Sequence, residues 1–509
     1  MGHGITPAEP SGSKLVHSLL DEAAAEAPSA CAVRDESGAW SYRQLAELSH
    51  GFARRLRALG VRPGDRVVVQ AETTRELVAM FFGTSRSGAV FVPLNPAMKQ
   101  FHLRSVIANA EPRLIVADTA AAERLRETTA VPVHTVDSLW PDAARSAGPP
   151  AAGEHAEVAA DAIAALIYTS GSTASPKAVI SPHAQVTFAS RAIQAELGYR
   201  PDDVVFCRFP MSWDYGLYKV LLSCLGRSEL VLAGQESDLS LIRRMRETGT
   251  TIVPVVPSLA TMIATLAGRD RGALPPVRLF TNTGAALPRS TIDALREAFS
   301  GARVVRQFGQ TECKRIAIMP PELEHERPDS VGRPLPGTEV RILDEDGQPV
   351  PTGRSGEIVV LGPHVMPGYW RSPELTAAAF RTDEDTGGLR LHTGDYGRLD
   401  EDGYLYFDGR RDDMFKRKGL RMSVLEIEAA AMDIPGIRAA TAVPPGKEHD
   451  LALFVETDLA PQAVLRELAR RLEPAKVPAE CRTLAELPLT QHGKNERRQL
   501  AAMLEGSHR

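Results

Sequence analysis

The ten residues from Tyr168 to Lys177 read YTSGSTASPK, a run of hydroxyls closed by a lysine. Ahead of it, Ala164–Ile167 is a short apolar run, so a strand is predicted to open into a polar, glycine-containing turn. Such a turn suits an anion. Backbone N–H groups and the hydroxyls of Thr169, Ser170, Ser172 and Thr173 supply donors around Gly171, and Lys177 supplies positive charge. The pattern GxxxxGK[ST] is absent, which excludes an ordinary P-loop NTPase. Taken alone, the stretch is equally well read as an exposed polar loop.

The surrounding sequence supplies elements able to hold such a turn. Ser41–Leu59 has helical spacing, with Leu45, Leu48, Phe52, Leu56 and Leu59 on one face. Pro63-Gly64-Asp65 breaks that helix, and Arg66–Gln70 reads as a buried strand. A helical stretch around Leu77–Arg86 and a strand at Ala89–Val92 follow. Strand-like runs recur at Leu114–Ala117, Val204–Cys207, Leu230–Ala233, Ile252–Val255 and Val277–Thr281. The alternation predicts an α/β body of parallel sheet covered by helices. After about Pro328 the texture changes. From Val340 to Asp408 short strands alternate with Gly, Pro and Asp turns, which predicts a β-hairpin-rich subdomain. Pro461–Leu472 reads as a helix, and Ala147–Ala160 as an exposed connector.

At 509 residues the chain exceeds what one core sustains, so at least two domains are expected. A net charge of −5, from 59 basic and 64 acidic residues, gives no general drive to nucleic acid or to a membrane surface. Cys31, Cys207, Cys224, Cys313 and Cys481 show no CxxC spacing, and read as reduced thiols. No apolar run is long enough to span a bilayer, and the N-terminus lacks the order of a signal peptide. A cytoplasmic protein is the expectation.

Further motifs follow the polar turn in a fixed order. They are Asn282-Thr283-Gly284-Ala285-Ala286, Gln307-Phe308-Gly309-Gln310-Thr311-Glu312, Thr393-Gly394-Asp395, Gly409-Arg410-Arg411-Asp412-Asp413 and Leu487-Pro488-Leu489-Thr490-Gln491-His492-Gly493-Lys494. With YTSGSTASPK they make the chain resemble, over nearly its whole length, the adenylate-forming superfamily. That superfamily comprises acyl-CoA synthetases, peptide-synthetase adenylation domains and luciferases. The resemblance implies ATP and Mg²⁺ as cofactors, and two half-reactions. A carboxylate first attacks the α-phosphorus of ATP, giving acyl-AMP and pyrophosphate, and a thiol then takes the acyl group. It implies that Thr169–Thr173 and Lys177 hold phosphate and that Gly284, Ala285 and Ala286 border adenine. Gln307, Phe308 and Gly309 would lie at adenine, and Thr311 would touch the α-phosphate. Glu312 would bind Mg²⁺, Asp395 the ribose hydroxyls, and Arg410 ribose or phosphate. Lys494 would be the mobile catalytic lysine, bridging the attacking carboxylate and the α-phosphate as charge builds. Domains are expected at 1–409 and 414–509, the second a small mobile α+β unit, with a hinge at 410–413 centred on Asp412. The chain departs from the family's usual loop at Ala174 and Ala178, where glycine is usual. In the basic run Arg410–Arg421, Arg411 and Arg417 are read as solvated rather than as docking residues.

The acid is read from Phe209–Tyr218, where the family builds one wall of its acyl pocket. An unpaired buried carboxylate is costly, so Asp214 suits a substrate carrying an ammonium. Thr283 and Gly284 border the same pocket by resemblance. The spelling SWDYGLYK with TECKR downstream is most similar to stand-alone enzymes that activate β-amino acids for macrolactam polyketides. Lys314 or Arg315 would then pair with a second substrate carboxylate. On the other reading both are structural, pairing with backbone or with Asp214, and Asp214 is a satisfied carboxylate at a helix start. The chain ends soon after Lys494, so a carrier protein is expected in trans as acceptor. The alternatives are a coenzyme A ligase for a fatty or aryl acid and a non-catalytic AMP-binding protein.

Overall fold

Apolar runs of four or five residues bounded by turns are too short for helices and long enough to cross a sheet. The structure, a computed structural model, describes residues 12–505 apart from 99, 151–153, 155, 170–176, 235–236, 271, 321, 324, 411–413, 418–419, 447–448, 473, 475 and 489–495. Arg66–Gln70, Leu114–Ala117, Val204–Cys207 and Ile252–Val255 are strands, buried almost throughout. They belong to two sheets. The six-stranded sheet runs in the order Val133–Thr135, Leu114–Ala117, Arg66–Gln70, Val90–Pro93, Ile163–Thr169, Lys177–Pro182. Its pairs are parallel except the last, which is antiparallel. The nine-stranded sheet is parallel from Arg303–Phe308 through Leu279–Asn282, Ile252–Val255, Val204–Cys207 and Glu229–Leu232 to Cys31–Asp35. Antiparallel strands finish both of its edges.

Helices fill the space between the sheets. Arg75–Arg86 and Asp214–Gly226 are buried nearly all round, and one apolar cluster joins them to strands of both sheets. Tyr42–Ala58 is the helix expected from the periodicity. Its start is fixed by a capping box, in which Ser41 Oγ accepts from the Gln44 N–H at 3.2 Å and Gln44 Oε1 accepts from the Ser41 N–H at 2.8 Å. The strand expected over Val277–Thr281 begins at Leu279. Pro275 and Pro276 precede it, and the Val277 N–H is spent on the Pro275 carbonyl at 2.8 Å.

The hairpin region forms a five-stranded sheet. Glu339–Leu343, Gly356–Leu361, Leu389–Leu399, Phe380–Thr382 and Leu405–Arg410 all pair antiparallel. Thr393-Gly394-Asp395 lies inside its longest strand rather than in a turn. Beyond it, Ile437–Val443, Ala452–Thr457 and Glu480–Leu484 form a small sheet flanked by the helices Val424–Met432, Pro461–Arg471 and Arg497–Glu505. Apolar clusters fall on two sides of the segment 408–414. Those of the large body use residues up to Phe407, and those of the C-terminal part begin at Phe415. Among the described residues no helix is long and apolar enough to cross a membrane.

Candidate active site

The polar turn is the connection of an antiparallel pair. Ile163–Thr169 and Lys177–Pro182 run side by side with Thr169 opposite Lys177, so the two ends of the loop are brought together. Ser170, Gly171, Ser172, Thr173 and Ala174 lie outside the described residues. Ala178 is buried in the apolar cluster beneath the six-stranded sheet, so its methyl is a packing group in a regular strand. That position has no need of glycine.

Strand Arg303–Phe308 of the other sheet delivers the second motif. Gly309 follows, and a Cβ there would lie 2.7 Å from Arg315 Cα, so the chain can turn back only on glycine. The Phe308 ring packs on Phe407 at 4.9 Å. The Gln310 amide donates to the Thr393 carbonyl at 3.4 Å, linking this motif to the third. Thr311 is half-buried, and Glu312 is buried. Glu312 Oε1 accepts from the Tyr369 hydroxyl at 2.7 Å, and the Tyr369 ring centroid lies 5.2 Å from Lys177 Nζ. Burial, with Glu312 beside it, holds the Tyr369 phenol well above its ordinary pKa. Asp395 is buried and lies opposite Arg410 across two strands, with Arg410 Nε at 3.2 Å. Arg410 therefore contacts the very carboxylate read as the ribose acceptor. Gly284 takes φ +88° at the end of strand Leu279–Asn282, Thr283 is buried, and Ala285 and Ala286 are exposed.

Asp214 opens the helix Asp214–Gly226, but among the described residues its carboxylate accepts from Lys314 and not from the helix start. Its Oδ1 lies 3.1 Å from Lys314 Nζ, which also donates to Ser181 Oγ at 3.0 Å. Lys314 is 1% exposed and has φ +66°, a backbone strain of the kind concentrated at functional sites. Asp214 Oδ2 and the Tyr218 hydroxyl are buried and have no hydrogen-bond partner among the described residues. Asp214 and Tyr218 line a small cavity of about 10 Å³, together with Lys314, Ser181, Phe81 and Val16. Val16 heads the helix Val16–Glu26, and its N–H donates to His183 Nδ1 at 3.1 Å. Burial pushes His183 down to about 4, so the ring is neutral and able to accept.

Lys314 and Arg315 part company. Arg315 Nε donates to Gln307 Oε1 at 2.8 Å, and Nη1 donates to the Lys314 carbonyl at 2.6 Å. Its guanidinium sits 5.3 Å from the Tyr215 ring, and burial lowers its pKa from the ordinary value. Tyr215 is a core aromatic, its hydroxyl 2.9 Å from Thr281 Oγ1. Arg417 pairs with Asp450 at 2.8 Å, which is a structural role. Asp412 and Lys494 lie outside the described residues. The five cysteines are unpaired thiols; burial raises Cys207 and Cys224 to about 11 and about 12, as expected of inert core groups.

Three contributors escaped the sequence, Tyr369, Ser181 and Val16, while Tyr218 fell inside the stretch Phe209–Tyr218 without being singled out. Tyr218 carried a usable signal, standing four residues after Asp214 on the same helix face. The other three meet the site only through tertiary packing.

Residues 20–370 match the AMP-binding enzyme family. Phosphinothricin tripeptide synthetase PhsC of Streptomyces viridochromogenes is 31% identical over 508 residues, covering 97% of this chain and 45% of its own. AMB antimetabolite synthetase AmbB of Pseudomonas aeruginosa is 32% identical over 498 residues, covering 96% of this chain and 39% of its own. The chain thus spans less than half of each of these relatives. Among solved structures, VinN is 56% identical with a TM-score of 0.73, covering 78% of this chain and 98% of VinN. VinN has also been solved with L-aspartate and with 3-methylaspartate. ATP-bound MatB from Rhodopseudomonas palustris is 26% identical with a TM-score of 0.86, covering 98% of this chain and all of that one. The converging motifs, the sheets that carry them and these likenesses agree, and the chain belongs to the AMP-binding enzyme family as an AMP-forming ligase that activates a carboxylic acid with ATP.

Proposed function

We propose that the acid is an aspartate-type β-amino acid, and that its acyl group passes to the phosphopantetheine thiol of a carrier protein acting in trans. The observation that carries this reading is the state of Asp214. One of its oxygens is held by Lys314, while the other is buried without a hydrogen-bond partner among the described residues, in a side chain that lines a small cavity. A buried carboxylate oxygen without a donor is costly, and a substrate ammonium would satisfy it. Lys314 would turn to the substrate's second carboxylate. The complexes of VinN with L-aspartate and 3-methylaspartate support a ligand of that charge pattern.

The nucleotide half follows from the motifs. Thr169 and Lys177 stand at the ends of the loop assigned to phosphate, and Asp395 is assigned to ribose with Arg410 holding it. Glu312 would hold Mg²⁺. Among the described residues no group of three or more acidic, His or Cys side chains is placed to hold a metal ion, and a single buried carboxylate fits an ion that takes its other ligands from phosphates and water. When bound, that ion offsets phosphate charge. Lys494 is assigned to the reacting oxygens during acyl-AMP formation. Rotation of the C-terminal unit about Asp412 would then replace it with the thiol. The separate apolar clusters on either side of 408–414 support a division there.

ATP–pyrophosphate exchange over α-amino, β-amino, fatty and aryl acids tests the reading. Exchange is expected with aspartate-type β-amino acids, and thioester formation is expected on a carrier protein rather than on coenzyme A. Robust exchange with fatty or aryl acids overturns it. Lys314→Met separates the two roles of that lysine. Its KM for a dicarboxylic amino acid is expected to rise about tenfold or more, with KM for ATP unchanged. An equal loss with every acid, together with a lower melting temperature, would make Lys314 purely structural.

A further inference from the structure

We propose that Tyr369 is a positioning residue for the nucleotide half-reaction: its hydroxyl orients Glu312 toward the metal, and its backbone fastens that glutamate to the strand leaving the phosphate loop. The inference rests on the reading of Glu312 as the Mg²⁺ ligand.

Tyr369 sits where three pieces of the site meet. Its hydroxyl donates to Glu312 Oε1 at 2.7 Å, which leaves Oε2 as the oxygen free to face a metal. Slightly earlier in the same segment, the Met366 N–H donates to the Glu312 backbone carbonyl at 2.9 Å. Side chain and backbone of the glutamate are thus both held by one short stretch of chain.

That stretch is itself laid against Lys177–Pro182. The Ile180 N–H donates to the Gly368 carbonyl at 3.0 Å, and the Trp370 N–H donates to the Ala178 carbonyl at 2.8 Å. Val179 and Tyr369 therefore form an antiparallel bridge. The Tyr369 N–H donates to Thr376 Oγ1 at 3.0 Å, and its ring meets Phe380 edge-on at 5.6 Å. The backbone at 369 cannot drift without breaking these contacts.

The hydroxyl itself is not needed for packing. A phenylalanine would keep the contacts with Phe380 and Lys177, and would lose only the hydrogen bond to Glu312. What the hydroxyl supplies is direction. A carboxylate that gives one oxygen to a fixed donor can rotate little, and presents the other oxygen along one line. Magnesium demands near-ideal octahedral geometry, so a carboxylate fixed in advance binds it with less reorganisation.

The test uses the full chain in three forms: Tyr369→Phe, Glu312→Gln and the double variant. ATP affinity is measured by calorimetry with Mg²⁺ and with EDTA, and the ratio of the two is compared across variants. Magnesium binding to free ATP is common to all and cancels. The ratio is expected to fall about tenfold in Tyr369→Phe, the scale of one hydrogen bond to a charged group. Affinity in EDTA is expected to hold within about twofold. The double variant is expected to match Glu312→Gln alone, because the hydroxyl acts only through that carboxylate. Pyrophosphate exchange and thermal melting accompany the calorimetry. An unchanged ratio in Tyr369→Phe, beside a reduced one in Glu312→Gln, overturns the role of Tyr369 and leaves Glu312 as the metal ligand. A loss equal in EDTA and in Mg²⁺ overturns it too, because a structural defect would act on both. If Glu312→Gln keeps the full ratio, the reading of Glu312 fails first and Tyr369 falls with it.

Discussion

Asp214→Asn should reduce amino-acid-dependent pyrophosphate exchange by about a thousandfold and leave ATP affinity within about twofold, because removing one member of a buried ion pair strands the other. The substitution keeps the shape of the side chain and deletes its charge. Lys314 would lose its only carboxylate partner among the described residues, and a substrate ammonium would meet a neutral amide beside a buried lysine. Glu312, Asp395 and Arg410, the residues assigned to the nucleotide, use other partners, so they should not register the change. The measurement is exchange with an aspartate-type β-amino acid, beside calorimetry with ATP. Wild-type exchange in Asp214→Asn would return Asp214 to the status of a structural carboxylate and remove the main argument for an amino-acid substrate.

Lys494→Ala is expected to lower acyl-AMP formation by about a hundredfold to a thousandfold, the usual effect of deleting a group that stabilises charge only as it develops. KM for ATP should change far less, because the lysine acts in the transition state more than in the bound ground state. Thioester formation from preformed acyl-AMP should be spared. On the proposed reading the C-terminal unit would have turned in that half-reaction, and the thiol would stand where the lysine had been. Equal loss in both half-reactions would instead place Lys494 in folding or in nucleotide binding, and would remove the reason for a rotating domain.

The body of the fold was legible because its strands are short apolar runs with clear punctuation. Arg66–Gln70, Leu114–Ala117, Val204–Cys207 and Ile252–Val255 begin and end as strands where composition says they should. The helix Tyr42–Ala58 was legible twice over, from its apolar face and from the Ser41 and Gln44 cap. Sheet edges were not legible. Nothing local says that Lys177–Pro182 runs back beside Ile163–Thr169, or that Cys31–Asp35 closes the far end of the large sheet, because strand pairing is a long-range choice. The candidate site divides the same way. Glu312 and Asp395 were singled out through the family resemblance of their motifs, and Asp214 through the cost of burying an unpaired carboxylate. Lys314 and Arg315 were left as two equivalent cations, and only the strained turn after Gly309 shows one facing Asp214 and the other turned back on Gln307. Tyr369 escaped because it serves through one hydroxyl and a set of backbone contacts, none of which has a sequence spelling.

Val16 gives the molecule an unexpected degree of freedom. It lines the cavity beside Asp214 from the first described helix, tied down through His183, and it belongs to none of the motifs assigned to the nucleotide. On the proposed reading, one wall of the acid pocket is therefore written in a different part of the gene from the residues assigned to the nucleotide. A lineage can drift toward longer substrates by shortening or tilting one terminal helix while every nucleotide contact stays under separate selection. For the same reason a protein engineer seeking new acids has reason to begin at residue 16, with replacements that keep the volume of a side chain buried in the main core.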